Sequence, residues 1–134
     1  MIVVVLILWV GLKFLGKPVT QNSTILKLTS PNGGESWKVG STNVISWKGP
    51  ESLSGARLIL NSTKQHYVGG EAQGYVPDIN IVIAEDLTSS GSYNWTIPTS
   101  TPIGSYVIHI DGYDSAFKNY SFDDSDSSFN VISR

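Results

Sequence analysis

Residues 28–47 read Leu28-Thr29-Ser30-Pro31-Asn32-Gly33-Gly34-Glu35-Ser36-Trp37-Lys38-Val39-Gly40-Ser41-Thr42-Asn43-Val44-Ile45-Ser46-Trp47. Strand-like segments flank dense turn chemistry. On one side, Ile25-Leu26-Lys27-Leu28-Thr29 puts Leu26 and Leu28 on the same face of an extended chain. In the middle, Pro31 fixes one φ, and Asn32-Gly33-Gly34 supplies positions that tolerate φ > 0. On the other side, Gly40-Ser41 makes a second turn, and Val44-Ile45-Ser46-Trp47 aligns Ile45 with Trp47. A corner of this kind lets the first strand switch sheets, with Trp37 placed to cover the open end.

Further strands follow at short intervals. Ala56-Arg57-Leu58-Ile59-Leu60 places Leu58 and Leu60 together, and a strand over Ile79–Ala84 is bounded by Pro77-Asp78 and Glu85-Asp86. Ser92 to Ile97 aligns Tyr93, Trp95 and Ile97 before Pro98, which cannot donate to a ladder. Tyr106, Ile108 and Ile110 alternate with Val107 and His109, and Phe129 pairs with Val131 at the close. About seven short strands without an amphipathic helix predict an all-β, immunoglobulin/fibronectin-III-like β-sandwich. Trp47 and Trp95 are expected inside it, where truncating either to alanine costs about 3–5 kcal/mol.

The chain has 134 residues, about one domain's worth, and no cysteine, so neither disulfides nor thiolate metal sites support it. All 11 acidic residues lie from Glu35 onward, and nothing resembles a basic stripe, which argues against nucleic-acid binding. Residues 1–17 are different. Met1 to Leu12 reads MIVVVLILWVGL and is followed by Lys13 and Lys17. As a helix, the apolar stretch to Gly16 spans about 24 Å against a hydrocarbon core of ~30 Å. Trp9 and the lysines still suit a membrane edge. The competing reading is a buried strand or helix of a soluble domain. No small-x-small cleavage site follows, so a retained signal-anchor is expected over residues 1–17, a linker over 18–24 and the sandwich over 25–134. Lys13 and Lys17 lie on the side that basic residues normally keep cytoplasmic. An outward-facing domain therefore carries the expectation of a short basic leader before Met1.

The corner and the strand after it resemble a recurrent surface-domain signature, S-P-N-G-G-E, an aromatic two residues on, G-S, and an I-x-W strand. The resemblance is to the Ig-like domain of the yeast cell-wall β-1,6-glucan assembly and Ser/Thr-rich, lipid-anchored surface proteins. Similar domains occur in exported bacterial and archaeal proteins. Gly91-Ser92-Tyr93-Asn94-Trp95-Thr96-Ile97-Pro98 is similar to the family's G-x-Y-x-W-x-I-P strand. Gly104 to Ile110 resembles its penultimate strand, and Asp124 to Val131 its D-x-S-x-x-F-x-I ending. The resemblance implies an exported sandwich in which Pro31, Gly33, Gly34, Trp37, Trp47 and Trp95 are structural. It says little about function, because the domain serves many proteins as a spacer or adhesive module.

No catalytic set emerges. His66 and His109 are the only histidines, and no G-x-S-x-G elbow marks a nucleophile. Asp123, Asp124 and Asp126, with Asp111 and Asp114 nearby, could hold Ca²⁺, but the D-x-D-x-D-G spacing is missing. An acidic hairpin rich in Asx turns is the simpler reading. Tyr113, Phe117 and Tyr120 either stack on sugar rings or cap the sandwich end. Asn22, Asn61, Asn94 and Asn119 open glycosylation sequons. The expected role is a non-catalytic, membrane-tethered extracellular module for surface display, adhesion or spacing, without cofactors. Partners would be the membrane through residues 1–17, and cell-wall polysaccharide or other surface proteins. The alternatives are a carbohydrate- or cell-wall-binding domain and a pilin-like filament subunit.

Overall fold

The computed structural model describes residues 25–70, 74–116 and 120–134. They form eleven strands and no helix: β1 (Lys27–Ser30), β2 (Ser36–Lys38), β3 (Thr42–Lys48), β4 (Gly55–Ser62), β5 (Gln65–Val68), β6 (Gly74–Pro77), β7 (Asn80–Leu87), β8 (Gly91–Thr96), β9 (Gly104–Tyr113), β10 (Tyr120–Asp124) and β11 (Phe129–Ile132). One sheet has the order β1-β3-β8; the other runs β2-β11-β9-β4-β7, with β10 also paired to β9. A separate β5-β6 ribbon stands between β4 and β7 in the chain. The expected N-terminal membrane segment and linker lie outside the described residues. Among those residues, no helix is long and apolar enough to cross a membrane.

The sandwich has four more strands than the seven expected, and each has a physical reason. β2 is only three residues long, too short to show alternation. In β5 and β6 most residues are exposed, so neither face carries an apolar signature. β10 carries Tyr120 and Phe122 outward at 61% and 60% exposure, so it reads as an aromatic loop. The strand expected over Ile79–Ala84 is also longer. It runs through Glu85 and Asp86 to Leu87, because a bulge accommodates the acidic pair instead of ending the strand.

The corner does what its turn residues require. β1 pairs antiparallel with β3, whereas β2, five residues further on, pairs parallel with β11 in the other sheet. Between them the Ser30–Pro31 peptide is cis, and Gly33 and Gly34 take φ values of 126° and 83°. The Glu35 carboxylate accepts the backbone N–H groups of Asn32 at 2.9 Å and Gly33 at 2.8 Å. Burial alone would raise this carboxyl's pKa; the backbone donors outweigh it and hold the group below its ordinary value. Asn32 then reaches across the fold, accepting from Asp126 N–H at 3.0 Å and donating to the Asp126 carboxylate at 2.8 Å. Gly34 N–H to Ser128 C=O at 2.9 Å completes the seam.

Inward positions of both sheets make one core. Leu28, Ile45, Ile97, Leu58, Ile108, Ile110 and Phe129 are fully buried, with Trp47 and Trp95 at 2% and 7% exposure. Trp47 also donates its indole N–H to Thr88 C=O at 3.0 Å. Trp37 is half-buried and packs on Phe129 and edge-on to Trp95, with centroids at 4.8 and 6.3 Å. The buried Tyr106 donates its hydroxyl to Pro102 C=O at 2.7 Å, tying the start of β9 to the loop before it.

The two corner glycines separate space from backbone freedom. A Cβ on Gly33 would lie 2.3 Å from Ser127 Cβ, whereas a Cβ on Gly34 meets nothing within 4 Å. Gly33→Ala is expected to cost about 2–4 kcal/mol and Gly34→Ala only ~1 kcal/mol, the backbone part alone. Urea denaturation followed by tryptophan fluorescence checks the ordering; equal losses would contradict it.

Candidate functional site

Chemistry-bearing side chains gather on the outer face of the larger sheet. Strand β9 alternates, so Tyr106, Ile108 and Ile110 point into the core while His109, Asp111 and Tyr113 point out. Its neighbours supply partners in register: Arg57 of β4 lies opposite Asp111, and β10 sets Tyr120 opposite Tyr113 and Asp124 opposite His109. Asp111 is the centre of this group. Its side chain is only 3% exposed, although it faces away from the core, because the surrounding side chains cover it.

Both carboxylate oxygens of Asp111 are engaged. Oδ2 accepts from Arg57 Nη2 at 2.6 Å and Nε at 3.2 Å, and Oδ1 accepts from Tyr120 Oη and faces His109 Nε2 at 2.9 Å. The other ring nitrogen of His109 lies 2.8 Å from Asp124 Oδ1, so carboxylates take both nitrogens. No nitrogen is left for activating a hydroxyl. Burial would raise the Asp111 pKa, but the Tyr120, Arg57 and His109 donors outweigh it and hold the carboxyl below 3.8. Although the Tyr120 ring is largely exposed, its hydroxyl is part-buried against Asp111, and this desolvation together with the adjacent carboxylate pushes the phenol up to about 12. It is a neutral donor at physiological pH.

Beside this network lies an open groove of about 400 Å³, lined by Arg57, Glu85, Asp86, Asp111, Tyr113 and Tyr120. The bulge in β7 shapes one wall. Ala56 pairs with Leu87 and Leu58 with Ala84, so Glu85 and Asp86 together oppose Arg57. Asp86 takes φ 54° there and accepts from the Tyr113 hydroxyl at 3.2 Å. Tyr113's ring lies against Gly55, where a Cβ would come within 2.6 Å of it.

The structure brings together Tyr113 and Tyr120 of the expected aromatic set; Phe117 lies outside the described residues. It does not gather Asp123, Asp124 and Asp126, the carboxylates weighed as a Ca²⁺ site against the simpler reading of an acidic hairpin. Asp124 turns to His109, while Asp123 accepts Leu28 N–H at 2.7 Å. Asp126 is bound to Asn32 and to the Lys27 ammonium at 2.7 Å, and Lys27 also stands 3.7 Å from Asp123. Asp114 instead accepts Ala116 N–H in a local turn, and no group of metal-ligating side chains forms among the described residues. His66 faces Asp78 at 2.9 Å on the β5-β6 ribbon. Of the sequons, Asn94 is exposed on β8, whereas Asn61 is half-buried and accepts from Asn80 at 2.7 Å. Asn22 and Asn119 lie outside the described residues.

Arg57, Glu85 and Asp86 were not anticipated as site residues. Their signal is positional only, since an arginine and an acidic pair meet when β4 pairs with a bulged β7.

The family model of the Kre9/KNH-like N-terminal Ig-like domain matches residues 30–123. No curated protein matches. Among solved structures, one described as Clostridium thermocellum CbhA fibronectin(III)-like modules aligns at TM-score 0.46 and 17% identity, covering 80% of this chain and 94% of that one.

Because the Asp111 pKa is depressed on folding, its stabilising contribution is full above the unfolded value of 3.8 and is lost as pH falls through the lower folded value. Asp111→Asn is expected to cost about 1–3 kcal/mol at neutral pH, since Arg57 loses its charged acceptor. The loss should shrink as pH falls below 4. Denaturation midpoints of both proteins across that range check it; a pH-independent difference would contradict the assignment.

Proposed function

The chain belongs to the Kre9/KNH-like N-terminal Ig-like domain family, and from that premise we propose that it works as a non-catalytic, membrane-tethered extracellular module for surface display, adhesion or spacing. The observation that carries this reading is where the sandwich places its ends. Leu26 packs against Gly112 near one end of β9, and Val131 pairs with Gly104 at the other. Ile25 and Arg134 thus lie at opposite ends of a ten-residue strand, about 30 Å apart along its axis. A module threaded this way extends whatever is joined to it.

The side-chain chemistry supports the same reading. His109, Asp111, Asp123 and Asp126 each pair with a neighbouring strand or turn, which stabilises a fold. The tether rests on the apolar run and lysines of residues 1–17 in the sequence.

Expression of the full chain with a C-terminal epitope, followed by fractionation and proteolysis of intact cells, tests this function. The expected outcome is an epitope in the membrane fraction that external protease removes. A soluble epitope, or one protected until the cells are lysed, would overturn it.

A further inference from the structure

The groove between β7, β4, β9 and β10 has features that a purely structural seam does not need. We propose that it is a binding site for a neutral saccharide, with Tyr120 as the stacking surface and Glu85, Asp86 and Arg57 as the hydroxyl-recognising groups.

The aromatic part comes first. Tyr120 is 61% exposed although its hydroxyl is tied to Asp111. The tether fixes the ring and leaves a face towards solvent, which is the surface that the C–H side of a pyranose covers. Tyr113, its register partner on β9, is held by Gly55 below and Asp86 beside it. Neither ring must be ordered at the moment of binding, so little side-chain entropy is lost.

Charge selects among ligands. One guanidinium faces three carboxylates in the lining, which leaves the groove negative and disfavours phosphates, sulfates and uronates. Asp111 spends its oxygens on protein donors. Glu85, 58% exposed and 3.9 Å from Arg57 Nη1, and the exposed Asp86 keep acceptor capacity towards the groove. Vicinal hydroxyls can donate to these acceptors and accept from Arg57 at once, which neither an anion nor an alkyl group can do. The volume of about 400 Å³ falls within the ~300–1,000 Å³ of small-ligand clefts. The bulge at Asp86 is the one position among the described residues where a non-glycine takes positive φ, and it aims a side chain at this groove.

The test titrates the full chain in detergent micelles with short neutral oligosaccharides of glucose, galactose and mannose, read by amide chemical shifts. Galacturonate oligomers and an arginine-rich peptide serve as anionic and cationic comparisons. The expected result is that a neutral oligosaccharide shifts the amides of Arg57, Asp86, Tyr113 and Tyr120. Tyr120→Phe, which keeps the stacking face but loses the tether to Asp111, should then bind about three- to fivefold more weakly than the parent, and Tyr120→Ala at least about tenfold more weakly than Tyr120→Phe. Failure of every neutral oligosaccharide to move these amides would overturn the proposal. Tighter binding of the uronate or the peptide, or equal losses in the two Tyr120 variants, would do the same.

Discussion

Two backbone N–H groups, those of Asn32 and Gly33, converge on the Glu35 carboxylate, and the connectivity of the sandwich hangs on that short clamp. It turns the chain out of the small sheet after Ser30 and delivers Ser36 to the edge of the large one. The same corner grips the turn before β11 through Asn32 with Asp126 and Gly34 with Ser128. One tight turn therefore positions both the second and the last strands. With that edge settled, Trp37 meets Phe129 and Trp95, and the core closes at its lower end. The signature residues are better understood as parts of one hydrogen-bonded device than as separate turn formers.

The outer face of the large sheet follows a different logic. There an acid sits almost wholly buried although no core residue demands it, covered by Arg57, His109 and Tyr120 from three strands. Such a group is costly unless each of its oxygens is met, and here each is. The result is that β4, β9 and β10 hold their side chains in fixed positions around an open groove. Rigidity of this kind serves the sheet first; recognition can use it afterwards.

The features legible in the sequence were those set by local spacing. Alternation marked β3, β4, β8 and β9, and inward tryptophans followed from it. The Pro-Asn-Gly-Gly run marked the corner because proline and glycine each restrict or free a particular φ. What spacing could not reveal were contacts across the chain. Lys27 lies 99 residues from Asp126, and Arg57 lies 54 from Asp111, so neither pairing leaves a local trace. For the same reason the acidic hairpin gave no sign that Lys27 faces both Asp123 and Asp126 while Asp124 turns to His109. β5 and β6 were invisible because a ribbon exposed on both faces needs no apolar alternation. Glu85 and Asp86 read as a strand end because acids seldom continue one; a bulge lets them do so.

The parallel pairing of β2 with β11 has a mechanical consequence. Load entering at Ile25 passes through β1 and the clamped corner into β2, while load at Arg134 enters β11 from the opposite end of the molecule. A pull between the two ends slides these strands past each other along their axis. The bonds of the ladder, with Gly34 to Ser128, Asn130 to Glu35 and Val39 to Ile132, are then strained in shear and must yield together. A pull across the strands would open the same bonds one after another, at lower force. The short second strand thus acts as the domain's latch against stretching, although it buries little of the core.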